Sequence, residues 1–212
     1  MTTTTTQTTK ATTPKFRGSF VRVFDAQETT TSKGEKKQQW SVEAIFDREA
    51  DMSALKAAIN EAIRKKWGDK KPANLQSPFR LGTPENFAQS YDQRPEIHNK
   101  IVMSFKSTTK PGVALYKRPV NGVKQKPELI DESKKGEIYS GAYYIATVSA
   151  FAWSYMGKNG VSFALNNLLK LHDGDALSPN VAADRDFEHI DGTEYGVDNS
   201  DEFADADASF EI

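Results

Sequence analysis

Cationic side chains stand close to aromatic ones through several segments of this chain, and that pairing can neutralise phosphates while flat rings stack on bases. Lys33, Lys36 and Lys37 precede Trp40; Trp67 and Phe79 bracket Lys70 and Lys71, with Arg80 next; Tyr116 adjoins Lys117 and Arg118. More lysines follow at Lys106, Lys110, Lys124, Lys126, Lys134 and Lys135. The expected backbone contacts are Lys33, Lys36, Lys37, Arg80, Lys117 and Arg118, and the expected stacking rings are Trp40, Tyr116, Tyr143 and Trp153. Any globule needs surface lysines and core aromatics, so each ring taken singly reads as core. The pattern as a whole argues for a polyanion groove.

Catalytic arrangements are thin. His98, His172 and His189 stand far apart, with no spacing that would build a zinc face. Phosphate-cradling glycine loops and a nucleophile elbow are missing. Asp173 and Asp175 flank Gly174, and as ligands of a divalent ion they would make a metal-dependent nuclease, the main rival reading. Glu43, Asp47 and Asp131, which could join them, fall in other elements, and Asp-Gly-Asp is turn chemistry. A virion or scaffold component that is merely soluble and charged is a third reading. The preferred expectation is a binding protein with no catalytic residues, metal or cofactor.

The charge total hides a partition. The 212 residues carry 28 Lys+Arg and 29 Asp+Glu, a net −1, and no cysteine, which excludes a disulfide scaffold. Residues 1–180 hold 27 basic against 18 acidic side chains, a net +9, whereas residues 181–212 hold 1 against 11, a net −10. Opposed segments of this kind suit a polyanion-binding body with an acidic appendage. Solvation alone would need only acids, yet the appendage keeps aromatics. Asp201, Glu202, Phe203, Asp205, Asp207, Phe210 and Ile212 are therefore expected to dock a partner or to compete for the basic groove, helped by a tethered concentration in the mM range.

These side chains need elements to hold them. The Thr-rich residues 1–13 have no apolar stretch and read as a disordered leader, residues 14–180 as one folded domain, and residues 181–212 as a disordered tail. Period-two alternation predicts strands over 16–24 and 40–46, joined by a polar loop over 25–38. Three- and four-residue steps predict a helix over 52–67, which Asp51 or Ser53 can cap and Gly68 can stop. An irregular, proline-rich connection covers 72–95, and strand character returns at 97–106, 113–117 and 142–155. Ile138 to Gly157 is uncharged and long enough to span a bilayer, but its four Tyr and three Ser and its alternation make it sheet, so no membrane contact is expected. Residues 161–171 are expected to pass from strand into a helical turn. The fold class is mainly β with one or two helices (α+β), an OB-like five-stranded barrel with long inserted loops, because strands and helices do not alternate.

A strand-rich, cysteine-free basic body with an acidic C-terminus ending in Phe210-Glu211-Ile212 resembles phage-encoded single-stranded-DNA-binding proteins of OB fold. The segment Gly160–Gly174, GVSFALNNLLKLHDG, is similar to a phage family given that role. The resemblance implies a protein that coats and protects single-stranded DNA in phage replication, recombination or repair. It also implies the cytoplasm of an infected bacterial host, and tail contacts with a phage DNA polymerase, helicase-primase or recombinase. A homodimer is compatible with a tail that reaches a neighbour.

Overall fold

Alternation at period two sends every second side chain of a strand to the same face, and the chain uses it to build an inside and an outside. The computed structural model describes residues 9–30 and 34–177. In chain order these residues form β1 (Lys10–Thr12), β2 (Phe16–Thr30), β3 (Lys36–Phe46), α1 (Ser53–Trp67), β4 (Leu75–Gln76), β5 (Arg80–Leu81) and α2 (Pro84–Phe87). They continue with β6 (Ile101–Ser107), β7 (Gly112–Leu115), β8 (Glu128–Leu129), β9 (Tyr143–Tyr155) and β10 (Lys158–His172).

Five strands close a ring. β2 pairs with β3, β3 with β6, β6 with β10, β10 with β9, and β9 returns to β2. Only the β6–β10 step of the ring is parallel; the other four are antiparallel. Two of the steps are short, Phe16 and Arg17 against Tyr144 and Tyr143 and Phe105 and Lys106 against Phe163 and Ala164, and closure of this kind is how an OB-type barrel manages its strand edges. Phe16, Val42, Phe46, Phe105, Tyr144, Val148 and Phe163 fill the interior. The rings of Phe105 and Phe163 meet edge to face at 5.9 Å, the arrangement their quadrupoles favour.

The helix lies where its small-residue stripe finds a small-residue strand. Leu55, Ala58 and Ala62 of α1 are buried in the same core as Ala146 and Ala150 on the inward face of β9. Asp51 Oδ1 accepts from the Ser53 backbone N–H at 2.9 Å at the start, and the Gly68 N–H reaches the Arg64 carbonyl at the end. Fully burying Leu55 is worth about 2 kcal/mol.

Three expectations change. The polar stretch 25–38 is largely strand, because β2 and β3 run on as a hairpin arm with Gln27 opposite Gln39 and Thr30 opposite Lys36. Segment 161–171 contains no helical turn; all of it belongs to β10, paired with β9 across a bulge near Asn166. The leader ends earlier than expected: β1 pairs with β9, Thr13 is buried, and its Oγ1 accepts from the Ala146 backbone N–H at 2.9 Å. In each case long-range pairing overrides local composition.

Candidate nucleic-acid interface

The connection from Gly68 to Lys100 divides the outer face of β3 and β6 into two. Over one half it lays a small apolar core, where Phe87 and Ile97 cover Ile45 and Val102 with Tyr91 and Leu177 alongside. Along the other half it forms one border, through Gln76, Ser77, Pro78 and Arg80. There an open cavity of about 680 Å³ is lined by Gln39 of β3, Ser104 and Lys106 of β6, Arg80 of β5, and Phe151 and Trp153 of β9. β3 and β6 are the second and third strands of the ring, and the arms β2–β3 and β9–β10 are its first and last hairpins. In OB-type barrels those strands and hairpins form the surface that takes oligonucleotides.

Each side chain in the cavity has a definite support. Trp153 stands opposite Gly160 in the β9–β10 register, and its indole N–H donates to the Ser162 hydroxyl at 2.9 Å. Arg80 donates to Glu43 Oε2 at 3.2 Å, and its guanidinium sits 4.6 Å from the centre of the Phe87 ring. Glu43 also accepts from Arg94, which is 12% exposed and bonds Glu96 at 2.9 Å. Burial works against the Arg94 charge, but the two carboxylates outweigh it and raise its pKa. The result is a fixed guanidinium, a lysine and two rings on one wall, a surface able to hold phosphates and stack bases.

Of the sequence-expected contacts, only Arg80 and Trp153 line this cavity. Trp40 falls on the same alternation of β3 as Val42 and Ala44 and is half-buried, its indole N–H is buried without a hydrogen-bond partner, and it does not line the cavity. Lys36 and Lys37 are exposed on the hairpin arm, where Lys36 pairs with Glu28 at 2.8 Å and Lys37 approaches Glu35 at 4.0 Å. Lys33 lies outside the described residues. Tyr116, Lys117 and Arg118 follow β7 at the far end of β10: the Tyr116 N–H donates to the Lys170 carbonyl, and Lys117 pairs with Glu128 at 3.1 Å. Gly160 and Lys170 are ten strand positions apart, about 33 Å. Tyr143 belongs to that far end too, opposite His172, its ring 4.5 Å from the imidazole and closely approached by Gly174. The tail residues Asp201, Glu202, Phe203, Asp205, Asp207, Phe210 and Ile212 lie outside the described residues.

Phe151 and Lys106 also line the cavity, though neither is among the expected contacts. The signal for Phe151 was present, because it shares the alternating face of β9 with Trp153. Lys106 stands among the lysines of the sequence, but its place beside the rings depends on β6 lying next to β10.

The Asp173 carboxylate of the rival nuclease is otherwise engaged. Asp173 pairs with Lys170 at 2.7 Å and accepts from the Tyr139 hydroxyl at 2.8 Å, while the Asp175 main-chain carbonyl accepts from Arg17. Lys170 first, and Tyr139 second, hold the Asp173 carboxyl below its usual range. Among the described residues no group of three or more His, Asp or Glu could hold a metal ion.

Comparison with known proteins agrees with this architecture. The single-stranded-DNA-binding protein of bacteriophage Enc34, solved in complex with single-stranded DNA, superposes with a TM-score of 0.59 at 18% identity, covering 80% of this chain and 89% of its own. A C-terminally truncated form of that protein gives 0.59 at 16% identity, covering 79% of this chain and 87% of its own. The gp2.5 single-stranded-DNA-binding protein of bacteriophage T7 gives 0.44 at 12% identity, over 81% of this chain and 96% of its own. No curated protein matches the chain. The sequence pattern of the family described as the ssDNA-binding protein of Enterobacter phage Enc34 matches residues 9–203, and the chain belongs to that family.

Proposed function

We propose that this protein binds single-stranded DNA in the cavity between β3, β5, β6 and β9, holding phosphates with Arg80 and Lys106 and stacking bases on Phe151 and Trp153. The observation that carries this reading is the convergence of two cations and two partly exposed rings on the open half of the β3–β6 face. Family membership supports it, and so does the Enc34 protein's own complex with single-stranded DNA. It acts as a binding protein and not as an enzyme, coating single strands during phage replication, recombination or repair in the infected cell. Affinity falls with salt, at a log–log slope of about −0.7 per phosphate neutralised. A gel shift with oligothymidine at low salt tests the reading; absence of a complex overturns it.

The acidic tail is assigned two roles by its sequence. Its −10 charge competes with DNA for the basic body, and its Phe203, Phe210 and Ile212 dock a phage replication protein such as a polymerase, helicase-primase or recombinase. Removing residues 181–212 then tightens oligothymidine binding; unchanged affinity removes the competition role.

A further inference from the structure

We propose that the outer face of β7, β8, β9 and β10, at the far end of the barrel from the DNA cavity, is a docking groove for residues 204–212 of a second copy of this chain. The inference concerns a separate surface and holds whatever the DNA cavity binds. Register puts four aliphatic side chains in one row across four strands. Ile145 of β9 stands opposite Leu169 of β10, Leu169 opposite Ala114 of β7, and Ala114 opposite Leu129 of β8. All four line an open cavity of about 400 Å³ whose wall holds no acidic and no aromatic side chain. Leu129 is 82% exposed. An aliphatic row turned to water marks an interaction surface, and without rings it offers bases no stacking platform.

Charge, pattern and reach decide what covers it. Lys126 borders the groove and Lys124 lies two residues before it, and neither has an ion pair among the described residues. Cations beside an aliphatic row suit an acidic segment with an apolar side, and they repel the same face of another basic body. Residues 1–8, which lead into β1 at the groove's edge, carry no acid and one apolar side chain, Met1. Residues 204–212 carry both kinds. Ala204, Ala206, Ala208, Phe210 and Ile212 alternate with Asp205, Asp207, Ser209 and Glu211, so an extended chain turns five apolar side chains to one side and its acids to the other. Ala208 to Ile212 span about 13 Å at the strand rise, and the row from Ile145 to Leu129 spans three strand spacings, about 14 Å. Length favours a second copy. Leu177, the last described residue, donates its N–H to the Ser140 carbonyl, and Ser140 is five residues, at most about 18 Å, from Ile145. The 26 residues from 178 to 203 have a r.m.s. reach of about 25–30 Å, beyond that gap and matched to a neighbour, and effective concentration peaks where reach equals span. Exchange of two tails closes a pair. Ile145 and Phe151 are six positions apart on β9, about 20 Å, so a docked tail end leaves the DNA cavity open. The acids before residue 204 stay available to the basic body, so this contact adds to competition with DNA and does not replace it.

The test is sedimentation equilibrium of the full chain without DNA, up to about 0.5 mM, beside two variants. Leu129→Asp puts a carboxylate into the row, at a position exposed enough to leave folding alone; the paired change Phe210→Ala with Ile212→Ala strips the tail of its anchors. The parent is expected to associate into pairs and each variant to stay monomeric. An equimolar mixture of the two variants recovers association, weaker than the parent's, because one supplies a tail and the other a groove. Leu129→Ile keeps the parent behaviour. A labelled peptide of residues 201–212 binds the full chain, at least about tenfold more weakly after Leu129→Asp, the worth of one buried aliphatic side chain, and equally well with saturating oligothymidine present. A monomeric parent, or a mixture of variants that stays monomeric, overturns the exchange between copies. A peptide displaced by oligothymidine, or bound unchanged by the Leu129→Asp protein, places the tail end elsewhere and overturns the groove. None of these results touches the gel shift with oligothymidine, which tests the DNA cavity by itself.

Discussion

Gly160 lies directly across the β9–β10 hairpin from Trp153, and the space its missing side chain leaves is the space the indole occupies. A Cβ placed on Gly160 would stand 2.6 Å from Cζ2 of the ring and 3.0 Å from Cβ of Gln76. The Ser162 hydroxyl then fixes the indole by accepting its N–H. Two small residues of β10 therefore set the tilt of the aromatic on β9, and they do so before any ligand arrives. Pre-organisation of this kind removes part of the ordering cost of binding.

Gly160→Ala is expected to tip Trp153 off its seat and weaken oligothymidine binding by up to about 100-fold, the worth of one stacked base. Stability changes by about 1 kcal/mol or less, because the displaced ring can swing toward solvent. Paired titrations and denaturant melts separate the two effects.

Arg80→Ala removes one expected phosphate contact, so the log–log salt slope becomes shallower by about 0.7. Glu43→Gln acts in the opposite direction. It frees the Arg80 guanidinium from its carboxylate and should tighten binding at low salt, at some cost to the partly buried Arg94. Salt titrations of both variants check the signs.

Tyr144→Phe tests the barrel rather than the groove. The buried Tyr144 hydroxyl donates to the Tyr139 carbonyl at 2.8 Å and accepts the Tyr139 N–H at 3.0 Å. Its loss leaves both backbone groups unpaired and should cost about 2–3 kcal/mol in urea unfolding, with the salt slope of binding unmoved.

The Lys170 cluster sets two limits on pH stability. The Asp173 carboxyl is held below 3.8 in the folded chain, so its contribution is present above about pH 4 and is lost as pH falls through the lowered value. Burial opposes the Lys170 charge, but Asp173 and Glu137 raise its pKa above 10.5; that contribution is present below pH 10.5 and disappears as pH rises through the raised value. The acid effect is small, because the Asp173 side chain is 74% exposed. Lys170→Met should be tolerated, since it leaves only solvated carboxylates behind. Joint Glu137→Ala and Asp173→Ala changes should destabilise strongly, by stranding a buried ammonium. Thermal melts between pH 3 and 11 compare the three proteins.

Much of the local architecture was legible in the residues. The alternation over 142–155 predicted a strand, and the structure packs α1 on its alanine-rich inner face. The steps of Leu55, Ile59 and Ala62 predicted the helix to within a residue of its start. Reading failed where polar composition hid pairing, as in the Gln27–Gln39 arm, and where a long strand resembled a helical turn, as in Leu165–Leu171. Trp40 shows the limit for single residues: only the alternation along β3 shows that it falls on the other side of the strand from Gln39, which lines the cavity.

Period and charge by themselves determined the cores of β2, β3, β6 and β9, the helix and the opposition of a +9 body to a −10 tail, because each depends on neighbours along the chain. Which cations meet which rings was decided only in the tertiary structure. Arg80, Lys106 and Trp153 converge because β5 pairs with β6, β6 with β10, and β10 with β9, while Tyr116 and Tyr143 are carried to the other end of β10. A strand's own alternation fixes which side a residue faces, and only register across the ring fixes what stands beside it.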